Sequence, residues 1–389
     1  VSAPPPSAGR GAQWAERLAP PALGRLALGL AVGAAGGAAA HAAGAPLAWM
    51  LGALFACMFA SLAGAPVMVP IWFRTLFLGV VGLFLGESFA DLRVEDLARW
   101  PVSLAAAALY PAAGGAACYA LFRAAARMPR ATALLCAVPG GLTAVSLFAA
   151  EVGGDERRVA LAQSLRVALV VLAAPVVAFG WLGLPRPAAA GAHPAALMSA
   201  PDAALLTGAA LAATLLAGRL RVPLPYLVGP LAVSAALRPA GVVSGALPGW
   251  LVEAALTVCG ASIGTRFAGF GLRQLAVGAA WTLAGTIVLM AVSWGFAAAV
   301  AALTGIGLFA ALLAYAPGGV AEMSLIALAI GADPAFVATH HMARILTILI
   351  ALPALGGPLR RFLAAEAAPS GARPGGPGAD PASGGSARG

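Results

Sequence analysis

The chain has 389 residues, of which 61% are hydrophobic and only 10% charged, with a net charge of +9. Soluble domains carry roughly a quarter charged residues, so this composition cannot clothe a soluble globule and instead describes an integral membrane protein with many spans. Arginine alone supplies the positive charge, scattered in ones and twos between apolar runs, which matches cytoplasmic loop bias rather than a nucleic-acid surface.

In chain order, residues 1–21 are rich in Pro, Ala and Gly and read as a disordered leader without the pattern of a cleavable signal peptide. Apolar segments then follow at 22–40, 46–63, 68–90, 101–122, 131–150 and 157–182. Residues 183–201 form a Pro/Ala linker, and six further apolar segments lie at 202–218, 223–240, 246–268, 274–302, 307–330 and 335–358. At 1.5 Å per residue each is long enough to cross ~30 Å of hydrocarbon, the second of each set only just. Residues 362–389 are Gly/Pro/Ala/Ser without apolar periodicity and read as a disordered tail. Cys57, Cys118, Cys136 and Cys259 each stand alone in an apolar run, which signals buried thiols rather than a disulfide framework or zinc site.

The two sets of segments are copies, membrane repeat 1 over 22–182 and membrane repeat 2 over 202–361. Pro139-Gly140-Gly141 recurs as Pro317-Gly318-Gly319, an offset of 178 (317 minus 139). Ser146/Ser324, Gly153/Gly331, Asp155/Asp333, Arg166/Arg344 and Pro175/Pro353 keep that offset. Pro46-Leu47 matches Pro223-Leu224 at 177. The predicted fold is therefore all-α and polytopic, with about 10–12 spans in two homologous repeats, each holding one helix broken by Pro-Gly-Gly. Basic loops have opposite parity in the two copies: Arg123, Arg127 and Arg130 precede the fifth segment of the first, whereas Arg219, Arg221, Arg266 and Arg273 follow the first and third segments of the second. That pattern favours inverted repeats. Inversion needs an odd number of crossings per copy, so one of the six segments would be re-entrant or merged.

Chemistry is expected at the two breaks. Proline removes a backbone donor and paired glycines let the chain leave helical geometry. Freed backbone groups are tolerated in a bilayer only where protein or water meets them. Paired interruptions at equivalent positions point to a transporter's binding site. Arg166 and Arg344 lie inside apolar helices shortly after the Gly-Asp turns, and an arginine at mid-depth needs a partner or ligand. Glu322, whose equivalent is Ala144, is a candidate to neutralise Arg166 or Arg344 or to carry a coupling proton. Arg74 and Glu253 read as local salt links. His341 stands where Gln163 does, three residues before the arginine in each copy, and could join a proton path. The candidate site residues are thus Pro139, Gly140, Gly141, Gln163, Arg166, Pro317, Gly318, Gly319, Glu322, His341 and Arg344, with no metal site and no cofactor. The small-residue pattern from Gly33 to Gly37 reads as close helix packing.

The doubled Pro-Gly-Gly, the following Gly-Asp turns and the Gln/His-x-x-Arg runs ending in proline resemble the duplicated bacterial membrane proteins called the AbrB family. The resemblance covers nearly the whole chain and also extends, in architecture alone, to cation/proton antiporters. Family labels such as ammonia monooxygenase or regulator of gene expression come with it. A copper or iron monooxygenase needs a cluster of His or carboxylate ligands, which four histidines with one adjacent pair do not readily make. A direct DNA-binding regulator needs a basic recognition module outside the membrane. The expectation is a multi-pass protein of the bacterial inner membrane and not an enzyme. Its partners would be the lipid bilayer and a small, anionic solute with a coupling ion, without direct nucleic-acid contact; an oligomer is compatible with the sequence. The function would be secondary transport without ATP, since no P-loop is present. A membrane sensor acting indirectly on gene expression is the alternative.

Overall fold

The computed structural model of the protein describes residues 20–89, 98–139, 152–181 and 196–354. The expected leader and tail, most of the linker, and Gly140 and Gly141 lie outside the described residues. The first half contains α1 (Pro20–Ala42), α2 (Ala48–Leu62), α3 (Ile71–Gly86), α4 (Trp100–Ala124), α5 (Arg130–Ala137) and α6 (Glu156–Pro175). The second contains α7 (Ala200–Arg219), α8 (Pro225–Leu237), α9 (Gly249–Gly264), α10 (Leu272–Thr304), α11 (Leu308–Tyr315), α12 (Val320–Ala329) and α13 (Pro334–Ala354). Among the described residues the fold is all-helical, apart from one isolated bridge between Leu197 and Ala246.

The duplication is written into the backbone. α3, α5 and α6 start 178 residues before α9, α11 and α13, and the short 3-10 turns Glu87–Phe89 and Thr265–Phe267 keep the same spacing. Left-handed backbone recurs too, at Leu47 (φ 47°) and Leu224 (φ 51°), each just before the helix that follows, and at Gly153 (φ 70°) and Gly331 (φ 69°).

Contacts between the halves are reciprocal: α2 packs on α9 as α8 packs on α3. Both contacts run through glycine. A Cβ built at Gly82 would lie 2.5 Å from the Leu227 carbonyl oxygen, and one at its equivalent Gly260 would overlap the Met50 carbonyl. One turn on, Gly86 meets Leu231 and Gly264 meets Leu54. The contact numbers rise together, so α2 runs parallel to α9 and α3 parallel to α8. Equivalent helices, by contrast, run antiparallel. Cys118 of α4 reaches the Gly285 carbonyl of α10, Gly114 lies against Leu289, and Tyr110 meets Ser293 and Phe296. Numbers that fall on one helix as they rise on its duplicate mean that the two halves are inverted relative to each other.

An odd number of crossings follows from the Pro-Gly-Gly segment, which does not cross. The Leu313 and Ala316 carbonyls of the α11 arm lie against His341 and Arg344 of α13, so α11 and α13 run parallel. α12 then returns over 10 residues, about 15 Å at 1.5 Å per residue, to the Gly331 turn that starts α13. Gly305–Ala310 line one cavity with Ile330–Asp333 and Phe336, which places the hairpin's two ends together. In the first half α5 lies along α6 in the same way, with Asp155 N–H donating to Thr132 Oγ1 at 3.1 Å and Leu135 beside Gln163. In the second half the fifth apolar segment is therefore a re-entrant hairpin and not a further span, because Pro317 ends α11 after only 8 residues.

Among the described residues seven helices are long and apolar enough to cross a membrane, making this a multi-pass membrane protein. In the windows of the arginine-bearing helices α6 and α13, 61% and 50% of positions are buried, against 17–28% in the other five. α6 and α13 are thus the central pair, while Leu205, Leu211, Leu215 and Leu216 of α7 face outward as lipid-directed surface.

The reciprocal glycine contacts give a direct test. Gly260→Ala has no room for its methyl and should lower stability by about 1–3 kcal/mol, the usual range for overpacking, whereas Gly208→Ala, with nothing within 4 Å, should not. Thermal unfolding in detergent measures both.

Candidate functional site

A helix that stops inside a membrane leaves its last carbonyls without intrahelical donors. α11 ends at Tyr315, and Ala316 turns to extended backbone (φ −54°, ψ 140°) ahead of Pro317. Arg344 closes over that end. Its Nη1 donates to the Ala316 carbonyl at 2.7 Å and the Tyr315 carbonyl at 3.4 Å, and its Nη2 to the Gly318 carbonyl at 3.0 Å. Nη2 also donates to His341 Nδ1 at 2.9 Å, while His341 Nε2 sits 2.9 Å from the Leu313 carbonyl. Guanidinium can only donate and a carbonyl can only accept, so His341 is the neutral imidazole with its hydrogen on Nε2.

The first half repeats this clasp with different atoms. Arg166 donates to the Cys136 carbonyl at 3.1 Å and the Val138 carbonyl at 2.9 Å, and to Gln163 Oε1. Gln163 Nε2 donates to the Leu135 and Val138 carbonyls, each at 3.1 Å. Leu135 is the equivalent of Leu313. The amide of Gln163 therefore presents one acceptor to the arginine and one donor to the half-helix, as the imidazole does. In both clasps a cation sits at the negative end of a short helix, where the peptide dipoles favour it.

Arg166 is 3% exposed and Arg344 2%. Neither forms an ion pair among the described residues, and the Nε of each is buried without a hydrogen-bond partner there. The two guanidiniums lie within electrostatic reach of each other, and Tyr110 of α4 within reach of both. α12, the returning arm of the second hairpin, packs against α6 of the first half. The structure thus brings Gln163 and Arg166 together in one clasp at the helix end before Pro139, and Gly318, His341 and Arg344 together in a second at the helix end before Pro317.

Glu322 has a different partner from the one expected. It lies 3.9 Å from Arg74 of α3 in the other half and folds back over Gly319, where the absent Cβ leaves space for its carboxylate. An acid in the first turn is stabilised by the positive end of α12. Arg74 is accordingly part of a link between the halves, not a local one, because the first turn of α3 faces the hairpin tip. Arg266 lies within electrostatic reach of both. Among the described residues no three His, Cys, Asp or Glu side chains converge.

Sequence reasoning did not assemble the polar cluster beside the second clasp. Ser293 Oγ of α10 contacts the Tyr315 carbonyl at 3.0 Å and Tyr110 Oη at 3.1 Å. The Tyr315 hydroxyl donates to the Ser103 carbonyl at 2.8 Å. The available signal was scattered polarity on the apolar helices α4 and α10, but the Ser293–Tyr110 and Tyr315–Ser103 pairings span more than 180 residues.

A family model described as "Transition state regulatory protein AbrB" matches residues 49–358, most of the chain. Among curated proteins, "Uncharacterized protein YhjN" of Bacillus subtilis (strain 168) is 32% identical over 241 residues, covering 57% of this chain and 62% of that protein. The chain thus spans less than two thirds of that relative's length. "Putative regulator AbrB" of Escherichia coli (strain K12) is 27% identical over 303 residues, 76% of this chain and 85% of that protein. No solved structure matches the chain.

The interchange of Gln163 and His341 predicts how the clasp tolerates change. His341→Gln should stay within about 1 kcal/mol of the parent, since an amide already fills that role in the first half. His341→Leu should lose about 1–3 kcal/mol by leaving the Leu313 carbonyl and an arginine N–H unpaired. Unfolding of both variants in the same detergent decides the point.

Proposed function

The chain belongs to the AbrB family of membrane proteins, and from the chemistry of its two clasps we propose that it is a secondary transporter for a small anionic solute in the bacterial inner membrane. The observation that carries this reading is the pair of buried guanidiniums, within reach of each other and without a carboxylate partner among the described residues. Two like charges out of water repel each other, and each is expensive to leave uncompensated. An anion between them relieves both costs. The unpartnered Nε–H groups supply donors on the guanidinium edges.

Inverted repeats meeting at central hairpins supply the mechanical half of the reading. Two arrangements of similar energy, related by exchanging the roles of the halves, are what alternating access requires. The reciprocal glycine contacts of α2 with α9 and α3 with α8 are the surfaces that would slide. Driving energy would come from a coupling ion, and the groups available to hold a proton are Glu322 and the histidines of α13. The monooxygenase label asks for a ligand cluster that these residues do not supply.

The word regulator in the family description and in the name of the Escherichia coli relative favours a second reading. In that reading the clasps bind the same anion without moving it, and the protein acts on gene expression indirectly through a partner.

Vesicles containing only this protein separate the two. A panel of labelled inorganic and carboxylate anions should reveal saturable flux of at least one, and Arg344→Lys should reduce it by about tenfold or more through loss of the forked donor geometry. Anion binding without flux transfers the assignment to a sensor. Neither binding nor flux for any anion removes the anion reading, provided the protein remains folded.

A further inference from the structure

His340 lies next to the clasp but takes no part in it. Its Nδ1 is 2.7 Å from the Phe336 carbonyl, its Nε2 is 2.7 Å from Ser103 Oγ, and Ser103 Oγ is 2.9 Å from the Trp100 carbonyl. These contacts form a chain closed at both ends by carbonyls, which only accept. Three contacts need three hydrogens. A neutral imidazole brings one and the serine hydroxyl brings one. The chain is one hydrogen short unless the imidazole carries both.

We propose that His340, with Ser103 opposite it, is a proton-binding site. An added proton lets Nδ1 donate to Phe336, Nε2 to Ser103, and Ser103 to Trp100, so that every contact holds a hydrogen. Both side chains are fully buried, and burial alone penalises a charge. Aromatic ring faces attract such a cation and lessen that penalty. Phe336 lies 3.9 Å from the imidazole centroid, Trp100 5.9 Å and Tyr315 6.3 Å, inside or near the range at which aromatic rings attract a cation. Trp100 and Phe336, which flank His340, also line the cavity of about 430 Å³ at the base of the second hairpin.

Other charged groups on the neighbouring elements have separate engagements. On α13 itself, His341 and Arg344 form the clasp, and Asp333 accepts from the Ala335 N–H at 2.8 Å. α11 presents Tyr315, and α4 presents Tyr110, with Arg99 just before it. Glu322 of α12 pairs with Arg74 of α3, and Glu87 of the 3-10 turn pairs with Arg238. Among the described residues none of these carboxylates contacts His340, so the serine, the Phe336 carbonyl and the rings hold the proton.

His340 and Arg344 are one turn apart on α13. An anion arriving at Arg344 therefore favours the proton at His340, and its departure favours release, which couples anion and proton movement in the same direction. This consequence rests on the transporter reading; the proton site itself does not.

The test is imidazole NMR on the full chain in lipid nanodiscs, without solute, with its four histidines isotopically labelled. His340→Asn assigns the signal, and if that variant does not fold, His41→Asn, His193→Asn and His341→Gln assign it by elimination. The His340 signal should pass from neutral to doubly protonated as pH falls from about 9 to about 4. Ser103→Ala should shift the midpoint down by roughly one unit, a tenfold loss of proton affinity. A signal that stays neutral throughout, or a midpoint unmoved by Ser103→Ala, overturns the proposal. Titration without flux removes the transporter reading and keeps the site, whereas flux with a permanently neutral His340 does the reverse.

Discussion

A helix that ends inside hydrocarbon exposes carbonyls to a medium that offers no hydrogen, and each such group costs several kcal/mol if left alone. In this protein one arginine per half meets that demand. Arg344 gathers the carbonyls of Tyr315, Ala316 and Gly318, and Arg166 those of Cys136 and Val138. The clasp permits the second half's hairpin to end at mid-depth, and the hairpin leaves an odd number of crossings there. The odd count is what inverts the second copy relative to the first. The same two guanidiniums lie within electrostatic reach of each other, which is the arrangement the proposed anion site rests on.

Symmetry explains the framework, and its breaking locates the chemistry. Gly82 and Gly260 make the same contact in both halves, as do Leu135 and Leu313. The departures cluster on one side. His341 replaces Gln163, Glu322 replaces Ala144, and His340 replaces Ala162; Arg74 and Arg266 stand where the other copy has Val252 and Ser88. The titratable gains beside the second clasp and at its hairpin tip are His340, His341 and Glu322, and Arg74 of the first half crosses over to meet Glu322. In the proposed transporter, the shared groups would serve the solute and the unshared groups the proton.

Much of this was legible in the sequence because it depends on local chemistry. Pro-Gly-Gly fixes where the helix breaks, and observed helix ends fall within a few residues of the apolar runs. The 178-residue offset reaches down to single backbone dihedrals at Gly153 and Gly331. Partners were less legible. Proximity along the chain made Glu322 a natural counter-ion for Arg344, yet the carboxylate turns back over Gly319 towards Arg74. The direction of the fifth segment was also hidden, since a broken crossing and a re-entrant hairpin share one hydropathy profile. His340 was overshadowed by His341, whose equivalent is polar; the importance of His340 depends on Ser103, 237 residues away.

The central claim is that the Pro-Gly-Gly segment enters and leaves on one face of the membrane with its tip held by arginine. Single cysteines at Ile306, Ala332 and Gly271, in a background lacking the four native cysteines, can be labelled with an impermeant maleimide in vesicles of known orientation. The account predicts that Ile306→Cys and Ala332→Cys react from the same side and Gly271→Cys from the opposite one. Labelling of the first two from opposite sides would mean that the segment crosses, and would contradict both the hairpins and the inversion built on them.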